Sequence, residues 1–381
     1  MNALLKTLRT TLLAVLFIIS PIYAENGSLS EPDLNANSYL LIDFHSGIEL
    51  VAKNPDKQIE PASITKLMTA YIIYDALEKG RISLDDNVLI SEKAWKMEGS
   101  RMFIEAGNKV PLKRMLSGLV IQSGNDAAVA LAEHIAGSED AFVSQMNEWA
   151  KKLGMNSTHF MNATGWPSEN HYTTARDIAK LTRIIIRKFP EYYKLHSKKS
   201  YSYNGIKQYN RNKLLWRDKT VDGVKTGHTE SAGYCLVASS KRNGMRLISV
   251  MLGTKSEKER ADYSQELLEY GFRFFETHKL YDAGSVLAEA RIWKGTKKTI
   301  PAGLMKDFYI TVQKGHYKKL KGLMDLDTSL DAPIKRGDVV GKAIFKDGAT
   351  IIREIPLFAL DSVDAGGFWS KVTGSVQKLF N

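Results

Sequence analysis

A serine and a lysine stand three residues apart in Ser63-Ile64-Thr65-Lys66, at the start of a segment with helical periodicity. Pro61 suits the first helical turn, and apolar residues recur at helical spacing until Gly80, which suits the helix end. Residues three apart share one helix face, so we expect the Ser63 hydroxyl and the Lys66 amine side by side. A serine becomes a good nucleophile when a neighbouring base accepts its proton, and a lysine is such a base only when it is neutral.

A lysine is neutral near pH 7 only if burial or a nearby cation lowers its pKa from about 10.4. Two further motifs follow in the chain, and the second contains a lysine that supplies such a cation. Ser123-Gly124-Asn125 follows a largely apolar segment, and Lys225-Thr226-Gly227 precedes a segment, 233–239, that is typical of a buried strand. A Ser-x-x-Lys pair alone is common and in most proteins has no function. The three motifs in this order are the set found in penicillin-binding proteins and class A β-lactamases.

Residues 1–24 have the features of a secretory signal peptide. Lys6 and Arg9 precede the apolar run 12–19, and we expect cleavage after Ala24. The run is too short for a spanning helix of about 20 residues, although a retained anchor is the alternative. Cleavage leaves 25–34 as a linker and lowers the net charge from +11 to +9 (11 − 2). Such a basic chain is expected at anionic lipid or cell-wall surfaces, and nothing in it indicates nucleic-acid binding.

The remaining length predicts two domains. Residues 35–275 mix helices and strands without βαβ regularity, which predicts an α+β domain with a mainly antiparallel sheet flanked by helices. The predicted strands are 39–43, 48–52, 232–239 and 245–252, and the predicted later helices are 112–121, 127–136, 139–153, 175–188 and 258–275. Cys235 is the only cysteine, so an intramolecular disulfide is excluded. The histidines are scattered without metal-ligand spacing, and we expect no metal and no cofactor.

Residues 35 to about 361 resemble the low-molecular-mass penicillin-binding proteins that are D-alanyl-D-alanine carboxypeptidases. Beyond the three motifs, the similarity includes 122–127, 210–216, 222–229 and 245–249. The resemblance implies a β-lactamase/transpeptidase-like catalytic domain. It also implies a substrate, the peptidoglycan stem pentapeptide ending in D-Ala-D-Ala, and covalent inhibition by β-lactam antibiotics.

The same resemblance implies the catalytic roles. Ser63 attacks the carbonyl of the penultimate D-alanine and forms an acyl-enzyme, with Lys66 as the base. Ser123 relays a proton to the leaving nitrogen, and Asn125 holds both Lys66 and the substrate amide. Lys225 is the cation that keeps Lys66 neutral and orients Ser123.

The implied substrate-binding residues surround these groups. Backbone N–H groups of Ser63 and His228 form the oxyanion hole. A carboxypeptidase must recognise a free terminal carboxylate, and Thr226 and Arg260 are assigned to it. Gly227 and Arg211 complete the set, with two alternatives left open: Arg260 as a solvated helix charge and Arg211 as a buttress of the cleft.

Residues 276–361 change to short alternating strands, which predict a small all-β sandwich without catalytic groups. The predicted strands are 286–293, 308–312, 318–324 and 339–345. The tail, 362–381, predicts an amphipathic helix that lies in a membrane interface, and the alternative is a helix docked on the β domain. We therefore predict an exported protein attached peripherally to the periplasmic face of the bacterial inner membrane. The sequence leaves the oligomeric state open.

Three functions remain to be distinguished. A D,D-carboxypeptidase is favoured, and a D,D-endopeptidase or a β-lactamase is the alternative on the same fold. A non-enzymatic wall-binding protein is the third, and the intact motifs argue against it. Class A β-lactamases use an extra glutamate to hydrolyse the acyl-enzyme. Glu169 is the candidate in the loop 162–170, but we interpret it as a solvated loop charge.

Overall fold

The computed structural model describes residues 30–368. The strands of the first domain are β1 (Ser38–Asp43), β2 (Glu49–Lys53), β3 (Asn87–Leu89), β4 (Lys109–Pro111), β5 (Ser200–Tyr203), β6 (Ile206–Tyr209), β7 (Val221–Thr229), β8 (Gly233–Arg242) and β9 (Met245–Thr254). Its helices are α1 (Lys66–Glu78), α2 (Glu92–Trp95), α3 (Leu112–Ser117), α4 (Asn125–Ala136), α5 (Glu139–Lys152), α6 (Ala175–Lys188), α7 (Pro190–Tyr193), α8 (Leu214–Arg217) and α9 (Glu257–Phe274).

The central sheet is antiparallel, with the strand order β2-β1-β9-β8-β7. Helix α9 packs on β8 and β9, and the side chains of α1, α4 and α6 form a large apolar core with the sheet. Leu40 and Ile42 of β1 belong to this core, whereas Leu41 between them lies next to Gly271 of α9. Because successive side chains of a strand point to opposite faces of the sheet, β1 packs against helices on both faces. The predicted α+β domain is confirmed.

The third motif lies inside a strand. Lys225, Thr226 and Gly227 belong to β7, the last strand in the sheet order, where Lys225 is opposite Val237 of β8. The sequence predicts only the following strand, because β7 combines glycines with polar side chains and lacks a clear apolar alternation. As an edge strand, β7 has no neighbouring strand on one side among the residues that the structure describes. The cleft described below lies along β7.

The predicted helix 112–121 is divided. Helix α3 ends at Ser117, and the chain continues as a π-helical turn, Gly118–Gln122. Ser123 then adopts a left-handed conformation with φ of 69°, which is uncommon for a residue with a side chain. The reversal allows α4 to begin at Asn125, two residues earlier than predicted. Single π-helical turns are frequent at functional sites.

The second domain consists of strands around a core of its own. Its strands are β10 (Phe275–Tyr281), β11 (Val286–Arg291), β12 (Thr299–Gly303), β13 (Phe308–Gln313), β14 (Leu320–Leu326), β15 (Val339–Asp347) and β16 (Thr350–Ala359). β10 pairs with β13, and the other five form a sheet in the order β11-β12-β16-β15-β14. Side chains of both sheets, such as Ile310 and Phe345, share one core. A C-terminal β domain is confirmed, although β10, β12 and β16 were not predicted.

The predicted signal peptide and the residues after Phe368 in the predicted tail helix lie outside the described residues. Between residues 30 and 368, every helix is too short or too polar to cross a membrane.

Candidate active site

Ser63 and Lys66 lie where a short 3₁₀ turn becomes a helix. The turn is Ala62–Thr65, and α1 begins at Lys66. The Lys66 Nζ atom is 2.9 Å from Ser63 Oγ, as the three-residue spacing predicted. Lys66 itself is 1% exposed, so its amine lies behind the serine and away from solvent.

The Lys66 amine has three oxygen neighbours. Besides Ser63 Oγ, its Nζ lies 2.7 Å from Asn125 Oδ1 and 2.6 Å from the Thr164 carbonyl oxygen. A protonated lysine donates three hydrogen bonds and would satisfy all three acceptors. A neutral amine donates two and has a lone pair, so it can bond to Asn125 and Thr164 while accepting the Ser63 proton. The geometry therefore suits both protonation states.

Burial makes the neutral state accessible. It is the largest cause that lowers the pKa of Lys66 to about 7, and it acts against the charge of Asp126, while Arg211 lowers the pKa further. The resemblance implies the same effect from the charge of Lys225. Lys225 is equally buried, and burial, followed by the charge of Lys66, lowers its pKa well below the ordinary value. Since repulsion between two amines is mutual, protonating either one disfavours protonating the other.

Lys225 and Ser123 form the second half of the site. Lys225 Nζ donates to Ser123 Oγ at 2.8 Å and to the Thr226 carbonyl oxygen at 2.9 Å. Ser123 is 4% exposed and lines the cleft. The left-handed backbone of Ser123 thus brings its hydroxyl to a lysine that is 102 residues further along the chain.

Asn125 differs in part from the expectation. Its Oδ1 accepts from Lys66, as predicted, but its Nδ2 donates to the Glu98 carbonyl oxygen at 2.7 Å. One of the two amide hydrogens is therefore used by the segment 98–100 and not by a substrate. The role in substrate binding that we assigned to Asn125 rests on the other hydrogen.

Two residues that support the site were not identified from the sequence. Asp126 is buried and accepts from the backbone N–H groups of Met102 and Phe103, which fixes the segment that covers α4. Asn162 accepts from the backbone N–H groups of Gly165 and Trp166 and so shapes the loop that presents the Thr164 carbonyl. Asn favours turns in which its side chain bonds to the backbone two residues on, as Asn162 does with Thr164, and this preference could have indicated the loop.

A cavity of about 490 Å³ opens over these groups. Of the predicted site residues, it is lined by Ser63, Ser123, Asn125, Arg211, Thr226, Gly227, His228 and Arg260. The two lysines of the predicted site, Lys66 and Lys225, are buried behind the cavity wall and do not line it. Lining residues that the sequence analysis did not assign to the site are Gly99, Ser100, Thr164, Gly165, Trp166, Pro167, Thr229, Glu230, Tyr234 and Glu257.

The cationic end of the cavity contains Arg260 and Arg211. Arg260 is 3% exposed and donates to the Gly227 carbonyl oxygen at 3.1 Å and to Glu257 at 3.2 Å, so it is not a solvated helix charge. Arg211 is exposed and forms no hydrogen bond to another residue in the described range. An anionic group that enters here meets two guanidinium groups, of which Arg260 is already paired with Glu257.

Glu169 is exposed and does not line the cavity. Within residues 30–368, no three His, Cys, Asp or Glu side chains are grouped as metal ligands.

Comparisons with known proteins identify the family. A family model described as D-alanyl-D-alanine carboxypeptidase matches residues 25–256, and a model of the penicillin-binding protein 5 C-terminal domain matches residues 275–365. The chain is 39% identical to D-alanyl-D-alanine carboxypeptidase DacC of Escherichia coli, over 97% of this chain and 94% of that protein. The chain belongs to the D-alanyl-D-alanine carboxypeptidase family.

Solved structures agree with this assignment. This chain matches penicillin-binding protein 5 of Haemophilus influenzae with a TM-score of 0.86 and 41% identity, over 88% of this chain and all of the other. It also matches penicillin-binding protein D2 of Listeria monocytogenes in an ampicillin-bound form, with a TM-score of 0.59 and 30% identity. That match covers 64% of this chain and all of the other. The resemblance stated from the sequence is confirmed, and so is the prediction of a serine-type peptidase.

Proposed function

We propose that this member of the family removes the terminal D-alanine from peptidoglycan stem pentapeptides through an acyl-enzyme on Ser63. The observation that supports this function most directly is the contact between Ser63 Oγ and a buried amine, Lys66 Nζ, whose pKa is lowered to about 7. Few environments make a serine hydroxyl nucleophilic, and a buried neutral lysine is one of them.

Acylation begins with transfer of the Ser63 proton to Lys66 as Oγ attacks the carbonyl carbon. The Asn125 and Thr164 oxygens hold the resulting ammonium. Ser123 Oγ gives its proton to the leaving D-alanine nitrogen and takes a replacement from Lys225 Nζ, which donates to it at 2.8 Å. Backbone N–H groups of Ser63 and His228 are our candidates for the oxyanion donors, because both residues line the same cavity.

The carboxylate of the terminal D-alanine binds at the cationic end of the cavity. Thr226, Arg260 and Arg211 line this end, and Arg260 is held in place by the Gly227 carbonyl. Recognition of a free carboxylate favours a carboxypeptidase over an endopeptidase, whose substrate continues beyond the cleaved bond.

β-Lactams are proposed as covalent inhibitors that acylate Ser63. The exposed position of Glu169 outside the cavity supports slow hydrolysis of the penicilloyl-enzyme, because this carboxylate does not reach the acyl group. Membrane attachment through 362–381 and export through 1–24 are proposed from the sequence alone, with the periplasmic face of the inner membrane as the site of action.

The decisive experiment uses Ser63→Ala, with Ser144→Ala on the exposed face of α5 as a matched control. We expect fluorescent penicillin to label the wild type and the control but not Ser63→Ala. Mass spectrometry should show release of D-alanine from a pentapeptide in the same two proteins. Release that persists in Ser63→Ala would contradict the proposed mechanism.

A second experiment tests the carboxylate. Replacing the substrate carboxylate by an amide should lower kcat/KM by about tenfold or more, since a charge-assisted hydrogen bond contributes roughly 1.5–3 kcal/mol. Arg260→Gln should lose most of this discrimination, whereas Arg114→Gln, an arginine outside the cavity, should keep it. Equal rates on both substrates in the wild type would favour the endopeptidase alternative.

A further inference from the structure

A second cavity lies between α6 and the β1–β2 hairpin and shares no lining residue with the active-site cavity. Its volume is about 420 Å³, within the range of sites for small molecules. The apolar part of its lining is Leu40, Ile42, Ala179 and Ile184. The cationic part comes from one stripe of α6, namely Arg176, Lys180, Arg183, Arg187 and Lys188.

Three of these five cations have carboxylate partners. Arg176 pairs with Glu49, which also lines the cavity, and with Asp56. Lys188 pairs with Asp75 at 2.7 Å, and Lys180 lies 3.7 Å from Asp177. The positive charges of these residues are therefore at least partly balanced by neighbours.

Arg183 and Arg187 differ from the other three. Arg183 donates to the carbonyl oxygens of Phe44 and His45 at 2.6 and 2.7 Å, and Arg187 lies 3.4 Å from the Phe44 carbonyl. Neither arginine forms an ion pair with a carboxylate in the described part of the chain. Among residues 30–368, the hydrogen-bond partners of these two guanidinium groups are backbone carbonyls alone.

Other cationic side chains near Arg183 add to this excess of positive charge. Burial, and then the charge of Arg187, lower the pKa of Arg183 to about 10, and Arg353 of the second domain contributes in the same direction. Asp43 opposes them, but its carboxylate already accepts hydrogen bonds from Ser46 and Thr277. An anion in the cavity would relieve this repulsion.

Gly47 packs closely on the Arg183 guanidinium, and only a residue without a side chain fits there. It has φ of +77°, and a Cβ at this position would lie 2.5 Å from Arg183 Nη1. Nη1 is the nitrogen that bonds to neither carbonyl. Arg183 lines the cavity, and no hydrogen bond joins its Nη1 to another of the residues that the structure describes.

We propose that this cavity binds a phosphate group between Arg183 and Arg187, with an apolar group attached to the phosphate resting on the floor. Arginine binds phosphate oxygens through two parallel hydrogen bonds, and the apolar floor offers no partner to a fully hydrated ion. The same phosphate chemistry could be supplied by a lipid headgroup or by a free phosphate. The apolar floor favours the lipid.

The test uses the full chain and isothermal titration calorimetry with three probes. They are dihexanoylphosphatidylglycerol below its micelle concentration, dihexanoylphosphatidylcholine and inorganic phosphate. We expect phosphatidylglycerol to bind about tenfold more tightly than either of the others, because it alone combines net negative charge with acyl chains. Binding of inorganic phosphate as tight as that of the lipid would retain the phosphate site and identify the free ion as its ligand.

Variants locate the site. Arg187→Gln, at an exposed position, should weaken phosphatidylglycerol binding by about tenfold, and Arg183→Gln by at least as much. Arg114→Gln makes the same charge change outside the cavity and should bind like the wild type. Release of D-alanine should be unchanged in all three, which shows that they are folded. The proposal is overturned if no probe binds, if phosphatidylcholine binds as tightly as phosphatidylglycerol, or if Arg187→Gln and Arg114→Gln are indistinguishable.

Discussion

The side-chain amine of Lys66 lies within hydrogen-bond distance of three oxygen atoms, and its protonation state decides to which of them it donates a hydrogen bond. As an ammonium it donates to Ser63, Asn125 and Thr164. As a neutral amine it can accept the Ser63 proton and still donate to the other two. Burial moves the balance between these states into the neutral pH range, so a change of one proton separates a resting site from a reactive one.

A pH dependence of acylation follows. Lys66 must be neutral to act as a base, and its pKa of about 7 means that the neutral fraction rises as pH increases through 7. The second-order rate of penicillin labelling should therefore rise about tenfold per unit below pH 7 and level off above it. Stopped-flow labelling between pH 5 and about 9 measures this profile, with the range chosen around the shifted pKa.

A histidine could produce a similar profile, and His228 lines the same cavity. His228→Gln should keep the rising limb near pH 7 if Lys66 is the titrating group. A wild-type profile that is still rising at the alkaline end of this range, as expected for a lysine with an ordinary pKa, would contradict the assignment.

At the scale of elements, the Ser63 turn is held by a loop that is distant in sequence. The Thr164 carbonyl accepts from Lys66, and the next residue, Gly165, packs directly on the 3₁₀ turn. A Cβ on Gly165 would overlap the Ala62 carbonyl oxygen and lie 2.9 Å from Ser63 N. The position of the nucleophile therefore depends on a residue without a side chain in the facing loop.

Gly165→Ala tests this dependence, with Gly137→Ala as its control. Both glycines have nearly the same φ, +84° and +81°, but nothing lies within 4 Å of a Cβ on Gly137. Gly137→Ala should lower the free energy of unfolding by about 1 kcal/mol through backbone strain and leave penicillin labelling unchanged. Gly165→Ala should lower the labelling rate by about 100-fold, since a shift of about 1 Å at a reacting group has such an effect. Equal labelling rates for the two variants would show that the loop does not position Ser63.

For the whole molecule, the two domains are joined by polar contacts around one buried carboxylate. Asp43 of β1 is 0% exposed, and its Oδ1 accepts from the backbone N–H and hydroxyl of Ser46 at 2.6 and 2.8 Å. Its Oδ2 accepts from Thr277 of β10 at 2.8 Å, and Thr311 of β13 bonds to both Thr277 and Ser46. His45 stacks on Tyr309 beside this network. The β domain thus supplies part of the hydrogen bonding that a buried charge in the catalytic domain requires.

Thr277→Val should loosen the junction without changing the chemistry at Ser63. The substitution keeps the shape of the side chain but removes the donor to Asp43 Oδ2, which costs about 2 kcal/mol at a buried acceptor. Calorimetry should show a lower melting temperature, and limited proteolysis should show faster cleavage near residue 275. Thr299→Val, at an exposed position of β12, is the control and should melt like the wild type. An unchanged melting temperature for Thr277→Val would show that the network does not stabilise the junction.

Local patterns in the sequence were sufficient for the motifs and for the strongly periodic elements. Helix α6 begins and ends at the predicted residues, 175 and 188, because a capping threonine precedes a regular apolar stripe. The spacing of Ser63 and Lys66 likewise predicted their contact, since helical geometry alone brings such residues together. The family could be inferred because its three motifs are short and keep their order.

Tertiary structure alone decided how these groups work together. Lys66 meets acceptors that lie 59 and 98 residues further along the chain, and the burial that lowers its pKa exists only in the folded protein. Three other features were likewise not predicted. They are the hydrogen bond from the Asn125 amide to Glu98, the strand that contains Lys225 and the network around Asp43. Burial and hydrogen-bond partners depend on which segments the fold brings together, and periodicity along the chain carries no information about those distances.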